Sequence, residues 1–328
     1  GCGMNACVKR RNTAALFALG ALVALAIIAY MTVELNFSNE RLLRFAMKLR
    51  APKLFAMLIA AIAIGGASIV FQSIINNTIV TPCLLGMNSL YTLMHTAVYF
   101  FLGSGSFFAT NANAAFALDL LLMSSAATLI YGYLFKATHY NVLYVLLIGT
   151  VLTSFFGSIQ STLIRVMDPN EYDTLLTTLV ASFDNMNNEL LLFSGILLVL
   201  LVFALRKELK LLDVITLGKE QAINLGVDYN RTIGRLLVGV TVCIAIATAL
   251  VGPISFLGLI IANLGRQMMR TYRHSQLIAA STMMGMLVMV AGQCLVEHVF
   301  AYVIPVSVFI TVGGGVYFLM LLLTRKKV

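Results

Sequence analysis

Long apolar stretches separated by short polar ones run along the whole chain, from the first few residues to the last. Ten such segments stand out, at about 14–33, 54–75, 89–102, 114–135, 142–163, 190–205, 233–251, 254–269, 277–296 and 305–323. None shows the strict alternation of a half-buried strand, and most reach the length of ~20 residues that a helix needs to cross a bilayer. The third and eighth are short for a perpendicular span, so they thin the bilayer, tilt little or lie sheltered in protein. Small residues crowd two of the segments, Gly65-Gly66-Ala67 and Gly313-Gly314-Gly315. Such faces let helix backbones approach closely where lipid supplies no hydrophobic drive. The expectation is an all-α polytopic membrane protein with about ten transmembrane helices.

Composition agrees. Of 328 residues 60% are hydrophobic and only 11% charged, with mean hydropathy +0.94. A soluble chain carries about 25% charged residues, so a soluble enzyme, a disordered chain and a nucleic-acid binder are excluded. Net charge is +9. With the N-terminus inside, sixteen of the 22 Lys and Arg fall on the inner side and six on the outer side. This asymmetry fits the positive-inside rule and places both termini in the cytoplasm. Residues 1–3 read as a remnant before Met4, and Lys9-Arg10-Arg11 precedes a retained first helix. The domain reading is a cytoplasmic segment at 1–13, one transmembrane permease domain at 14–324, and a cytoplasmic tail at 325–328. An outer loop at 40–53 and an inner loop at 206–232 carry most of the domain's charge.

The outer loop breaks the rule, with Arg41, Arg44, Lys48, Arg50 and Lys53 on the side that should lack positives. It reads as a docking surface for an acidic partner, against snorkelling at a helix end. The inner loop reads as two short helices broken at Gly218 and Gly226, which suit tight turns. Asp119 is the acid inside the fourth segment. Its neighbours Asn111 and Asn113 place it near the outer interface, where it could be solvated. The five cysteines (Cys2, Cys7, Cys83, Cys243, Cys294) form no C-x-x-C pattern and read as small hydrophobes. His95, His139, His274 and His298 lack ligand spacing, so no metal site is expected. No Gly-rich loop followed by Lys and Ser/Thr is present to cradle nucleotide phosphates.

Two stretches carry finer information. The first is Leu49-Arg50-Ala51-Pro52-Lys53, followed by Phe71-Gln72-Ser73-Ile74-Ile75-Asn76-Asn77 and Thr81-Pro82-Cys83-Leu84-Leu85-Gly86-Met87-Asn88-Ser89-Leu90-Tyr91. The second is Leu217-Gly218-Lys219-Glu220-Gln221-Ala222 with Leu225-Gly226-Val227, then Gly252-Pro253-Ile254-Ser255-Phe256-Leu257-Gly258, then Ile304-Pro305-Val306. In this order and spacing they resemble the permease family of ATP-binding-cassette importers for iron–siderophores, haem and vitamin B12. The stretch from Thr81 to Tyr91 is most similar to subunits that pair two different permeases for catecholate siderophores.

The resemblance implies a vitamin B12 permease-like fold of ten helices with both termini inside. It also implies a second permease chain, two ATPase subunits that hold ATP and Mg, a periplasmic or lipid-anchored binding protein, and a bacterial cytoplasmic membrane. It implies no cofactor and no catalysis in this chain. The family's outer R-x-P-R motif matches Arg50 and Lys53, and Glu297-His298 stands where the B12 permease has a further outer arginine. Lysine brings charge without the bidentate fork of arginine, and charge reversal at Arg50 is expected to weaken docking.

ATPase coupling falls on Leu217, Gly218, Lys219, Glu220, Leu225 and Gly226, with Glu220 the acidic position. The inner gate falls on Asn141, Val142 and Leu143, after Thr138-His139-Tyr140. Gln72, Asn76, Asn88, Ser89 and Gln160, with Ser161 and Gln293, are candidates to line a weakly interacting path; for each, interhelical hydrogen bonding is the competing reading. Haem or B12 is the alternative substrate, and a carrier driven by an ion gradient is the alternative class.

Overall fold

The computed structural model of the chain describes residues 2–33, 40–139, 142–180, 183, 187–301 and 304–324; for 2–9, 84, 142, 143, 145, 322 and 324 it describes the backbone alone. The described residues form α-helices and one 3-10 turn, Pro82–Leu85. The helices are α1 Cys2–Thr32, α2 Glu40–Ile75, α3 Met87–Leu102, α4 Phe107–Thr110, α5 Ala112–Ala137, α6 Val142–Val166, α7 Pro169–Leu179, α8 Asn188–Ala204, α9 Arg206–Ile215, α10 Lys219–Asn224, α11 Tyr229–Val251, α12 Leu257–Met268, α13 His274–His298 and α14 Val306–Thr324.

Each of the ten apolar segments is a helix. Six of them (α1, α2, α5, α6, α11 and α13) are long and apolar enough to cross a membrane, and α8 with α9 makes a seventh across a bend of 55°. The remaining three (α3, α12 and α14) are shorter.

Two stretches depart from expectation. Residues 40–53 are not a loop but the opening turns of α2, which runs unbroken through Pro52. Proline removes one backbone donor, and the apolar run after it holds the helix by packing. The polar stretch after α6 holds an unforeseen helix, α7. Asp168 caps it by accepting from the Asn170 N–H at 2.8 Å, and Pro169 sits at its first position, where its missing N–H costs nothing. Ser104 Oγ donates to Glu171 Oε1 at 3.0 Å, and the Tyr99 and Thr178 hydroxyls meet at 3.0 Å. These contacts hold α7 against the end of α3.

Burial ranks the helices. The most apolar window of α2 is 72% buried and that of α11 67%, against 11% for α6 and 17% for α1. The core therefore lies along α2 and α11, with α13, α12 and α5 packed around them. Apolar side chains point outward from α6 (Leu147, Val151, Phe155) and from α8 (Leu192, Ile196, Val199), as lipid-facing helices require.

Small residues make the closest crossings. Ser281 and Thr282 of α13 lie so near α2 that a Cβ on Gly65 would sit 3.1 Å from the Thr282 backbone. Ser281 Oγ donates to the Gly65 carbonyl at 3.3 Å. The same turn of α13 meets Gly265 of α12, where a Cβ would lie 3.0 Å from Ser281 N.

The run Gly313-Gly314-Gly315 is not one feature. A Cβ on Gly314 would lie 2.3 Å from Phe256 Cβ, whereas Gly313 and Gly315 face nothing within 4 Å among the described residues. Gly314→Ala is therefore expected to lower the unfolding temperature in detergent, while Gly313→Ala leaves it unchanged or slightly raised through better helix propensity. Equal behaviour of the two variants would overturn this account of α14.

Two irregular segments meet inside the bundle. One joins α2 to α3 through residues 76–86, and the other joins α11 to α12 through Gly252–Phe256. Asn88 Nδ2 donates to Ser255 Oγ at 3.0 Å, and Asn263 Nδ2 donates to the Thr78 carbonyl at 2.9 Å. Non-helical backbone at membrane depth persists where protein satisfies it in this way.

Candidate functional site

Arg50, Lys53 and Glu297 lie together, although 244 residues separate the last two. Arg50 Nη1 donates to the carbonyls of Tyr30 at 2.9 Å and Val33 at 2.8 Å, and its guanidinium lies 5.9 Å from the centre of the Tyr30 ring. It thus satisfies acceptors left open at the end of α1. Lys53 Nζ faces Glu297 Oε1 at 3.4 Å, with side chains 13% and 6% exposed. Glu297 also accepts from Tyr30 Oη at 3.1 Å and from Gln293 Nε2 at 2.8 Å.

Lys53 and Glu297 thus join α2, α13 and α1. The exposed positive groups are Arg41, Arg44 and Lys48, on the earlier turns of α2. Arg44 pairs with Glu40 one turn back.

At the opposite end, α9, α10 and the first turn of α11 make up the expected two-helix motif. Gly218 has φ +112° and Gly226 φ +83°, positive values that cost other residues about 1–3 kcal/mol. The Gly226 N–H donates to the Ile223 carbonyl at 2.9 Å and the Val227 N–H to the Ala222 carbonyl at 3.0 Å, closing α10. Asp228 then caps α11 through the Arg231 N–H at 3.2 Å. Ala222 is fully buried, whereas Leu217, Ile223 and Leu225 are exposed by 59%, 51% and 64%. Lys219 and Glu220 are exposed beside them. An exposed apolar knob set among charges, on a rigidly turned short helix, is the form of a protein-binding surface. Ile223 was missed in sequence because a single isoleucine in the short stretch between Gly218 and Gly226 carries no periodic signal. The base is held by Arg235 Nη1 donating to Glu208 Oε1 at 2.6 Å.

The polar candidates for a path divide. Gln72 is buried and spans helices: its Nε2 donates to the Thr78 carbonyl at 2.8 Å, and its Oε1 accepts from Arg266 Nε at 3.2 Å. Asn88 is tied to Ser255, and its Oδ1 has no partner among the described residues. Gln160 Oε1 accepts from Thr92 Oγ1 at 3.1 Å, joining α6 to α3. Asn76 is exposed at φ +55°, and Ser89 is half-buried.

Of the gate candidates, Asn141 lies outside the described residues. Val142 and Leu143 open α6, and their side chains are likewise outside the description. Asp119 is not solvated. It is 6% exposed, and one of its carboxylate oxygens lies 2.9 Å from Nε2 of His95, whose ring centre is 4.4 Å from that of Tyr91. The Asn111 and Asn113 signal misled because helix packing, not nearness to polar residues, sets burial.

Among the described residues, Cys83, Cys243 and Cys294 form no disulfide, and no group of three His, Cys, Asp or Glu side chains is placed to hold a metal ion.

Known proteins match this arrangement throughout. The model of the FecCD transport family matches residues 12–324. The chain is 39% identical over 278 residues to the petrobactin import system permease protein YclO of Bacillus subtilis (strain 168), covering 85% of this chain and 88% of that protein. It is 32% identical over 282 residues to the petrobactin import system permease protein FatC of Bacillus anthracis, covering 85% and 79%. A solved metal-chelate type ABC transporter in an inward-facing conformation superposes with TM-score 0.78 at 22% identity, over 95% of this chain and 99% of that one, and so shares its fold. Because the family match runs from the first turns of α1 to the end of α14, and takes in the paired charges and the turned α9–α10 knob alike, this chain belongs to the FecCD transport family and is a membrane transport permease rather than an enzyme.

Proposed function

We propose that this chain is one of two permease subunits, with a different second chain, of a binding-protein-dependent importer that carries ferric siderophore across the bacterial cytoplasmic membrane. The α9–α10 knob carries the reading. It presents Leu217, Ile223 and Leu225 beside Lys219 and Glu220 on two fixed glycine turns, in a chain that has no nucleotide-binding loop of its own. Each of two ATPase subunits, holding ATP and Mg, takes one such knob. The permease crosses the membrane ten times with both termini inside; α3, α12 and α14 make the short crossings, α3 and α12 sheltered by their neighbours and α14 facing lipid over much of its length.

Asn141, Val142 and Leu143 form the inner gate, and Asn76, Ser89 and Gln160 border a path that binds its cargo weakly. A periplasmic or lipid-anchored binding protein delivers that cargo. Relatives named for petrobactin support a siderophore substrate, although others in the family are named for hydroxamate, vitamin B12 and molybdate. The stretch from Thr81 to Tyr91 favours the catecholate type.

The outer dock is the exposed arginine and lysine face of α2, with Arg50, Lys53 and Glu297 as its brace. Surface charges of this kind steer an acidic partner and are screened by salt.

The test is uptake into proteoliposomes that hold both permeases and the ATPases, supplied with loaded binding protein. ATP-dependent accumulation of ferric catecholate siderophore is expected, in preference to ferric hydroxamate, haem and B12. Uptake that persists with the ATPase disabled would instead identify a gradient-driven carrier. In the same assay, Arg41→Glu with Lys48→Glu is expected to weaken binding-protein docking at least tenfold at low salt without lowering the unfolding temperature. Unchanged docking would remove this face of α2 from the dock.

A further inference from the structure

We propose that Asp213, His274, Ser73 and Arg266 form the joint through which movement of the ATPase-facing α9 reaches the irregular segment 76–86 in the core. This inference rests on the importer reading above and adds to it the positioning residues that connect the inner dock to the path.

The four side chains come from four helices. Asp213 lies on α9, five residues before the Gly218 turn, with its side chain 46% exposed. Its Oδ1 accepts from the His274 backbone N–H at 2.9 Å and from His274 Nδ1. It therefore caps the first turn of α13, where a carboxylate is also favoured by the helix dipole. On the far edge of the same imidazole, Nε2 meets Ser73 Oγ at 2.8 Å, in the last turn of α2. Ser73 Oγ accepts from Arg266 Nη2 of α12 at 3.0 Å.

Donor capacities give this chain one direction. The Asp213 carboxylate only accepts, so His274 Nδ1 carries the hydrogen and donates to it; Nε2 of the neutral imidazole is then an acceptor, and the Ser73 hydroxyl donates to it while accepting from Arg266. A cation and an anion thus close the two ends of a neutral relay.

The relay continues inward. Arg266 Nε donates to Gln72 Oε1, and both Gln72 and Asn263 donate to the Thr78 carbonyl. Residues 76–81 lead into the 3-10 turn, where the Tyr131 hydroxyl donates to the Leu85 carbonyl. Leu85 packs on Gly149 so tightly that a Cβ there would lie 2.5 Å from Leu85 Cδ2. Gly149 is on α6 and Tyr131 on α5, the two helices that flank the gate region. Hydrogen bonds from α9 to Thr78, the chain from there to Leu85, and the contacts of Leu85 thus connect α9 to the gate helices.

Beside the relay lies a cavity of about 410 Å³, bordered by Asn76, Asn77 and Thr216 as well as by Ser73, Arg266 and His274 of the relay. Close-packed interiors transmit displacement rather than absorb it. The cavity gives the end of α9 and the segment after α2 room to shift together.

The test compares variants in the reconstituted complex by molecules of siderophore moved per ATP hydrolysed. His274→Ala removes the link to Ser73 and leaves the Asp213 cap on the backbone N–H of residue 274. Ser73→Ala cuts the relay from the other side with a smaller change of shape. Both are expected to assemble with the ATPases and to hydrolyse ATP, yet to move at least fivefold fewer molecules per ATP. The double variant should be no worse than the more severe single one, because both break one chain. Ser73→Thr, which keeps the hydroxyl, should restore the ratio.

Wild-type transport per ATP in both single variants overturns the joint. A loss that multiplies in the double variant, or one that Ser73→Thr does not relieve, assigns these residues to local packing and overturns it equally. Failure of the wild-type complex to show ATP-dependent uptake overturns the importer reading itself and is seen before any variant is compared.

Discussion

Gly226→Pro is expected to abolish ATP-driven uptake, with a loss of at least a hundredfold, and to remove the stimulation of ATP hydrolysis by loaded binding protein. Docking of the binding protein at the outer face should survive. Proline holds φ near −65° and has no N–H, whereas residue 226 needs φ +83° and an N–H that donates to the Ile223 carbonyl. The turn cannot form with proline. With six residues, α10 is far below the length at which a helix stands alone. Its two glycine turns and the buried Ala222 hold it in place, so breaking one turn releases Ile223 and Leu225 from their fixed display.

The damage stays local, because α11 is anchored by its own buried face. Gly226→Ala gives a graded version. Nothing lies within 4 Å of a Cβ there, so its cost is only the left-handed backbone, about 1–2 kcal/mol, and uptake should fall a few-fold. Uptake within twofold of wild type in the proline variant would show that α10 is not the coupling element.

Gly65→Val is the most damaging single change expected in the membrane core. At this crossing the atoms that a side chain would strike are backbone atoms of Ser281 and Thr282, 3.1–3.2 Å from where its Cβ would lie, and backbone cannot swing aside as a flexible side chain can. Helices α2 and α13 would have to separate. That breaks the Ser281–Gly65 hydrogen bond and disturbs the neighbouring contact of Ser281 with Gly265. Overpacking costs about 1–3 kcal/mol, and a β-branched side chain aimed at backbone lies at the upper end.

The measurement is the unfolding midpoint of the purified permease in detergent, with its monodispersity. A fall of several degrees and lost yield are expected. Gly66→Ala is the control. Its neighbour, Ile278 Cγ2, is at an ordinary 3.9 Å, and alanine favours the helix by about 1 kcal/mol. Equal tolerance at the two positions would mean that α2 and α13 do not cross this closely.

The contrast between these adjacent glycines shows what could be read early. Sequence marks the small-residue face, because Gly65-Gly66-Ala67 stands out in an apolar run. It cannot say which glycine meets a backbone, because that depends on how α13, more than two hundred residues away, is rotated. The turns at Gly218 and Gly226 were legible for the opposite reason. A glycine between a polar helix start and an apolar helix end acts locally, and the backbone requirement lies in the residue itself. The outer positives were legible as a cluster, since charge on the wrong side of a membrane is visible in one dimension. Which of them face outward was not legible, since Lys53 is turned in by Glu297 from the other end of the chain.

Sequence alone thus determined the membrane class, the position of each apolar helix, the bias of charge and the family, because each rests on local composition or contiguous motifs. The tertiary structure decided that Lys53 pairs with Glu297, that Asp119 is buried against His95, and that Asp213, His274, Ser73 and Arg266 join in one relay. In a chain with so few charges, each buried polar group must find a partner in a medium that offers no water. Those partners are brought within reach only by the packing of helices that are distant in sequence.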